Sequence, residues 1–344
     1  MERRLSLVTG ANGHVGYNIV RMLAGNGNLV RATVRDANNS ATAGPLRQLP
    51  GVEVVSLDIR DRDKFREAAK GVDTLFHVAA TYKIYAGGKA GEEEMVRDSV
   101  DGASAAIEAA ADCGVRKVVL TSSIVTLPYV KPGEAMPTED DWRDDLSVPY
   151  LRAKTLGERE SWRLAAERNV TLVTILPGFV LGPPFLRRTA SLDIIYGMML
   201  GIFQFGALDV YLPMPVDVRD VARAHILAAT RDCHGRFIVT NDSTYSYFEL
   251  SRIMHSIDPA IRRAPFILPN AAAHAVNIFD WLNERVLGAP RVYTKELALQ
   301  SLGRQNIGSN KRARTELGWA PEIPFEQSLR ETMAALKKFA AEQA

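Results

Sequence analysis

Cysteine is almost missing from this chain of 344 residues: Cys113 and Cys233 are the only two. Two isolated thiols cannot build a disulfide framework or a zinc-ribbon site. His77, His225 and His234 are not at metal-ligand spacing, so no metal is expected. An excess of one charge is also lacking. Lys plus Arg number 42 against 40 for Asp plus Glu, a formal net charge of +2, which argues against a dedicated nucleic-acid binder. The longest apolar stretch, Ile194 to Leu208, is 15 residues and contains Gln204. That is short of the roughly 20 needed to span a bilayer. The opening MERRLSLVTG passes from two arginines into a strand-like run without an h-region or cleavage site, so no signal peptide is expected. Repeats and low-complexity segments are absent. The expectation is a soluble cytoplasmic protein, long enough for two domains of about 150 residues or one large core with an appended lobe.

What the chain does have is an alternation of two periods. Short β-branched runs are LSLVT (5–9), LVRATV (29–34), VEVVSL (52–57), TLFHV (74–78), KVVLT (117–121) and VTLVTIL (170–176). Between them lie stretches at helical spacing, such as VGYNIVRMLAG (15–25), DKFREAAKG (63–71) and EEEMVRDSVDGASAAIEAAADCG (92–114). This pattern predicts right-handed βαβ units and a mostly parallel sheet covered on both faces, an α/β doubly wound fold of Rossmann type. After Pro177 the rhythm breaks into proline- and glycine-punctuated segments. The predicted organisation is a dinucleotide-binding domain over 1–178 with a return segment at about 216–242. A smaller, mostly helical lobe over 179–215 and 243–344 would bind substrate.

The segment VTGANGHVG joins the first strand to the first helix and places Gly10, Gly13 and Gly16 three apart. Glycine permits positive φ and close approach to a pyrophosphate, whose charge sits over the N-terminus of the next helix. Asn12, His14 and Val15 complete the turn. The second strand is followed by Arg35 and Asp36. An acidic residue there would hold ribose hydroxyls, whereas arginine accommodates a 2′-phosphate. Arg35 favours NADP(H) over NAD(H), with Asp36 competing for the ribose if Arg35 is only a surface residue.

Tyr150 and Lys154 in YLRAK fall on one face of a helix, one turn apart. Ser147 and Pro149 supply an N-cap and first-turn signal ahead of them. A helix N-terminus and the lysine ammonium would both favour a tyrosine phenolate, bringing its ordinary pKa of about 10 down towards the working range. Upstream, LTSS closes the fifth strand, with Ser123 27 residues before Tyr150.

TGxxGxxG, LTSS and YxxxK, in this order and register, resemble the extended short-chain dehydrogenase/reductase family. LVRATVRD, TLFHVAA, KVVLTSS and PGFVLGPPF look most like its dihydroflavonol reductase/cinnamoyl-CoA reductase group. The likeness runs from about Leu5 to Met333, with SNKRARTELGWAP (309–321) similar to the family's closing segment. It implies Ser-Tyr-Lys chemistry: Ser123, or less favourably Ser122, orients the substrate oxygen, Tyr150 gives the proton, and Lys154 tunes it while holding the cofactor ribose. It also implies that Asp58, beside Ile59, reaches the adenine amino group, unless Asp58 only caps the helix starting near Asp61. Val78, Ala79 and Ala80 would let the cofactor lie against the backbone, and Pro177, Gly178, Phe179 and Val180 would cover the nicotinamide.

The implied activity is NADP-dependent reduction of a small, largely apolar carbonyl. Alternatives are a nucleotide-sugar epimerase or dehydratase, 3β-hydroxysteroid dehydrogenase-like oxidation, and a non-catalytic NADP sensor. Sugar-nucleotide members usually carry asparagine in an N-V-x-G-T run, where this chain has Ser99-Val100-Asp101-Gly102-Ala103. The stretch Ile194–Leu212 offers Ile195, Tyr196, Met198, Met199, Leu200, Phe203 and Phe205 and no Lys or Arg, as pocket wall or as core of the second lobe. Arg187, Arg188 and Arg219 flank it and could reach a diphosphate. The expected partner is a small molecule, neither nucleic acid nor membrane, and a homodimer is left open.

Overall fold

The computed structural model describes residues 4–79, 88–288 and 294–343. The β-branched runs form strands because apolar side chains leave both faces of the central strands, and helices cover both; β3, at the edge, is only half-buried. In chain order the first half runs β1 (Leu5–Val8), α1 (His14–Gly25), β2 (Leu29–Val34), α2 (Ser40–Arg47), β3 (Val52–Ser56) and α3 (Arg62–Ala69). It continues through β4 (Thr74–His77), α4 (Lys89–Asp112), β5 (Lys117–Thr121), α5 (Pro149–Arg168) and β6 (Leu172–Pro177). The second half holds β7 (Phe179–Leu181), α6 (Ala190–Met199), β8 (Pro215–Asp217), α7 (Val218–Thr230), β9 (Gly235–Val239), α8 (Tyr247–Ile257), α9 (Val276–Leu287), α10 (Lys295–Ser301) and α11 (Phe325–Gln343).

Seven strands form one sheet in the order β3-β2-β1-β4-β5-β6-β9, every neighbouring pair parallel. Leu7 and Val8, adjacent in β1, enter different cores, as the two-residue period of a strand requires. Val8 packs with Ile19, Val34, Phe76, Val221 and Phe237. Leu7 packs on the other face with Phe65, Leu75, Ile107, Val118 and Leu164. The strand order reverses between β1 and β4. At such a switch point the flanking helices diverge and leave a crevice beyond the carboxyl ends of the strands.

β9 pairs with β6, and α7 packs on α1, so the chain returns to the first layer after its excursion. A separate core contains Phe179, Leu192, Ile195, Met198, Leu250, Met254, Leu329 and Leu336. The expected assignment of all of 243–344 to this lobe fails between 305 and 319, where Ile307 packs with Ile124, Leu176 and Ile238. Ala313, Leu317 and Trp319 pack into the first core, and Trp319 Nε1 donates to the Asp220 carbonyl at 2.9 Å. Two features have no counterpart in the sequence reading. One is α2, which forms despite Pro45 because Asn39 caps it by accepting the Ala41 N–H. The other is the short parallel pair β7–β8. Among the described residues no helix is long and apolar enough to cross a membrane.

Candidate active site

The glycine turn at the end of β1 is shaped by contacts that only glycine allows. Gly10 has φ +63°, and a β-carbon there would stand 2.9 Å from Ala79 Cα. At Gly16 a β-carbon would come within 2.3 Å of the Gly10 carbonyl oxygen, so the first turn of α1 is pressed directly on the loop. Thr9 fixes the far side: its hydroxyl oxygen accepts the N–H groups of Val78 and Ala79, each at 3.0 Å, and lies 3.1 Å from His77 Nδ1. Having accepted twice, the hydroxyl donates to His77, whose proton then resides on Nε2. Burial, reinforced by the Lys154 charge, pushes the His77 pKa down to about 3, in keeping with a neutral ring.

The N-cap of α1 is Gly13, with no side-chain cap and no acidic residue in the first turn. The first N–H groups of the helix therefore have neither an intrahelical partner nor a competing anion. This cradle fits the pyrophosphate of a nicotinamide dinucleotide, which would take the N–H groups of His14, Val15 and Gly16. Asn12 and Gly13 are partly open beside them. The His14 side chain points elsewhere: Nε2 donates to the Gly182 carbonyl at 2.6 Å, and burial lowers its pKa to about 4. Any contact from His14 to a phosphate is thus through its backbone.

Around the adenine end, Arg35 is exposed at the tip of β2 and has no ion-pair partner among the described residues. Asp36 accepts the Asn38 N–H at 2.9 Å, a local turn that competes with a ribose contact. Asp58 does not cap the next helix. Asp61 does, accepting the Lys64 N–H, while Asp58 is tied to Arg60 at 2.7 Å. Hydrogen bonding from Arg60, opposed in part by desolvation and helped by the Arg35 charge, takes the Asp58 carboxyl down to about 2. Ile59 presses on Gly102 of α4 and lines a cavity with His77, Ala79 and Lys154. Val78 packs against the first core. Ala80 lies outside the described residues.

The two serines after β5 separate cleanly. Ser122 donates to the buried Glu158 carboxylate at 2.6 Å. Ser123 accepts the Val125 N–H at 3.3 Å, which leaves its own proton free, and it lines a cleft with Tyr150. Tyr150 is the second residue of α5, and Lys154 follows one turn later. The expected Ser147 cap is not used. Pro149 occupies the first helical position and holds Val148 in extended backbone, so Val148 is the N-cap. Ser147, one residue too early, accepts from Gln300 Nε2 at 2.6 Å instead.

Glu158 is one further turn along the same face and escaped the sequence reading, although its spacing from Tyr150 and Lys154 was visible. It is buried, accepts from Thr174 at 2.7 Å and pairs with the buried Arg236 of β9 at 3.0 Å. Arg236 also donates to the Glu139 and Asp141 carbonyls and stacks on Trp142. Desolvation brings the Lys154 pKa down to about 8, with the Glu158 charge opposing the fall. Ser99 donates to the Ala153 carbonyl at 3.0 Å, and a β-carbon on Gly157 would meet its oxygen at 2.9 Å. The glycine at 157 is what lets α5 approach Ser99 of α4 so closely.

The cleft holding Ser123 and Tyr150 opens to solvent and spans about 680 Å³ of empty space, the solvent at its mouth included. Its walls include Ile124, Tyr129, Phe179, Ile194, Tyr211 and Leu297, and among the described residues none that lines it is charged. Gly178 lines it where Met214 crosses so near that a β-carbon would lie 1.7 Å from the Met214 oxygen. Pro177 is buried at the end of β6, and Val180 turns to the first core. The aromatic stretch is mostly core: Ile195 and Met198 are buried within the second lobe, Tyr196 and Phe203 pack on it, and Phe205 is exposed. Of the flanking arginines, Arg188 pairs with Asp193, and Arg219 with Asp217 and Glu331. Among the described residues no group of three or more His, Cys, Asp or Glu is arranged to hold a metal ion.

The chain is similar to known proteins in sequence and in fold. The profile of the NAD dependent epimerase/dehydratase family matches residues 6–239. Cinnamoyl-CoA reductase 1 of Arabidopsis thaliana is 32% identical over 254 residues, covering 69% of this chain and 70% of that protein. Sterol demethylase protein B of Methylococcus capsulatus is 30% identical over 92% of this chain and 93% of its own length. Among solved structures, that of gox2253 superposes with a TM-score of 0.81 at 27% identity, covering 98% of this chain and 99% of its own.

Proposed function

The chain belongs to the NAD dependent epimerase/dehydratase family, in its extended short-chain dehydrogenase/reductase group, and from that premise we propose that it reduces a small, largely apolar aldehyde or ketone to an alcohol with NADP(H). The observation that carries this reading is the cleft that Ser123 and Tyr150 both line, with no charged side chain on it among the described residues. A bound reduced nicotinamide supplies hydride to the carbonyl carbon. Ser123 donates its free proton in a hydrogen bond that holds the carbonyl oxygen. Tyr150 transfers a proton to that oxygen as it gains charge, so one hydride and one proton complete the alcohol. Lys154, charged below about pH 8, eases proton release from Tyr150 by its field and binds the cofactor ribose. Arg35, unpaired at the β2 tip, selects the 2′-phosphate.

The nucleotide-sugar alternative is disfavoured by what surrounds the cleft. A nucleoside diphosphate needs cationic forks; of the three flanking arginines, Arg188 and Arg219 are taken by carboxylates, and Arg187, which has no such partner among the described residues, lies beside the glycine turn. Tyr129, Tyr211 and Phe179 suit a flat apolar ligand better. The test is NADPH oxidation by purified protein against aromatic aldehydes, ketones and flavanonols, with UDP-sugars titrated in parallel. Ketone turnover with no sugar-nucleotide binding is expected. Micromolar UDP-sugar binding without carbonyl turnover overturns the reading.

A further inference from the structure

We infer that Arg187, carried from the second lobe on a segment stapled to α1, clamps the pyrophosphate of the nicotinamide dinucleotide against the glycine turn. This rests on the cofactor reading above and extends it to a residue outside the turn itself.

The chemistry leaves a gap that Arg187 fills. A pyrophosphate brings two negative charges, yet Thr9 to Gly16 contain no lysine or arginine. The N-terminus of α1 offers N–H groups and about half a positive charge. Arg187 lies beside the turn: a β-carbon built on Gly13 would stand 3.9 Å from its Nη2. Its side chain is exposed and has no carboxylate partner among the described residues. Its neighbour Arg188 is fully engaged, 3.0 Å from Asp193 and stacked on the Tyr196 ring.

The position of Arg187 is built, because the preceding residues are fastened to the very helix whose N-terminus would bind the phosphates. His14 Nε2 donates to the Gly182 carbonyl at 2.6 Å, and Asn18 Nδ2 donates to the Pro184 carbonyl at 2.9 Å. Gly182 N–H donates to Thr332 of α11 at 2.8 Å. Gly182 adopts φ +91°, and a β-carbon there would collide with the Asp217 carboxylate, so the chain must be glycine to pass this point. Phe185 meets the His14 ring edge-on at 5.9 Å. His14 and Asn18 thereby acquire a purpose in the turn that has nothing to do with touching a ligand. They set the distance between the turn and Arg187.

The clamp and the Arg35 selector act on different phosphates, which makes them separable. Dissociation constants are measured for NADPH, NADH, ADP-ribose and adenosine 2′-monophosphate, by calorimetry or fluorescence, on the wild type and on Arg187→Ala, Arg187→Lys and Arg35→Ala. Loss of one charge-assisted contact corresponds to roughly tenfold. Arg187→Ala is expected to weaken NADPH, NADH and ADP-ribose alike by about that factor and to spare adenosine 2′-monophosphate. Arg187→Lys should recover part of the loss, and Arg35→Ala should weaken only the 2′-phosphorylated ligands. Unchanged binding in Arg187→Ala, or a loss confined to 2′-phosphorylated ligands, overturns the clamp while leaving the cofactor reading intact. A wild type that binds neither dinucleotide overturns both.

Discussion

Replacing Glu158 tests the structure beneath the site without touching substrate. Its carboxylate is buried and accepts from Ser122, Thr174 and Arg236 at 2.6, 2.7 and 3.0 Å. Glu158→Ala leaves the buried Arg236 charge with only carbonyl, hydroxyl and aromatic partners and orphans two hydroxyl donors. Breaking a buried pair from one side costs about 3–5 kcal/mol. With an unfolding entropy of roughly 2.1 cal/mol/K per residue, that lowers the melting temperature by about 4–7 °C. Glu158→Gln keeps an acceptor and removes only the charge, so a smaller loss of about 1.5–3 kcal/mol is expected. Both variants also remove the negative charge that supports Lys154, while the desolvation that lowers its pKa to about 8 remains. The high-pH fall in kcat/KM, which marks loss of the Lys154 charge in free enzyme, should move to lower pH in both. Melting curves and pH–rate profiles on the same preparations separate the two effects. Melting within 1 °C of wild type in Glu158→Ala, or a high-pH limb that stays put or rises, refutes the argument.

Tyr150→Phe should lower kcat by roughly 10²–10⁴ while NADPH binding is nearly unchanged, because the ring stays and only the proton source goes. Near-normal turnover would remove Tyr150 from the mechanism. Gly16→Ala should weaken dinucleotide binding at least tenfold and destabilise the fold, against the usual gain from alanine in a helix, since its β-carbon would lie 2.3 Å from the Gly10 oxygen. Gly25→Ala, with open space around that position, is the matched control. Neutral behaviour at Gly16 would contradict the close contact. His14, His77 and His225 are buried with pKa values pushed by desolvation to about 4, 3 and 4. The unfolded chain therefore binds more protons than the native state below about pH 6.5, and stability falls as pH drops from there towards 4. Each contributes up to about 2 kcal/mol of loss by pH 5, and urea unfolding at pH 7 and pH 5 reads the total. Equal stability at the two pH values would mean that these rings are not held neutral.

Much of this molecule was legible in its sequence, for reasons of short range. Strands buried on both faces must be nearly continuous apolar runs, so the main sheet announced itself segment by segment. The glycine turn was readable because positive φ at Gly10 and the contact at Gly16 admit no other residue. Tyr150 and Lys154 share a helix face by spacing alone. The failures were equally physical. Ser147 was one residue out because the steric demand of Pro149 fixes the helix start. The helix cap, the less favoured reading of Asp58, belongs to Asp61, which lies nearer the helix. The apolar run after Ile194 could be core or wall, since both use the same side chains, and packing against α8 and α11 made it mostly core. Only the tertiary structure could bring Arg236 to Glu158 across 78 positions, turn Ser122 inward and Ser123 outward, and fold the segment before Arg187 back onto the first helix. Local sequence sets backbone preference and hydrophobic period. Which buried charge finds its partner, and which cation is left free, is decided by contacts between segments far apart in the chain.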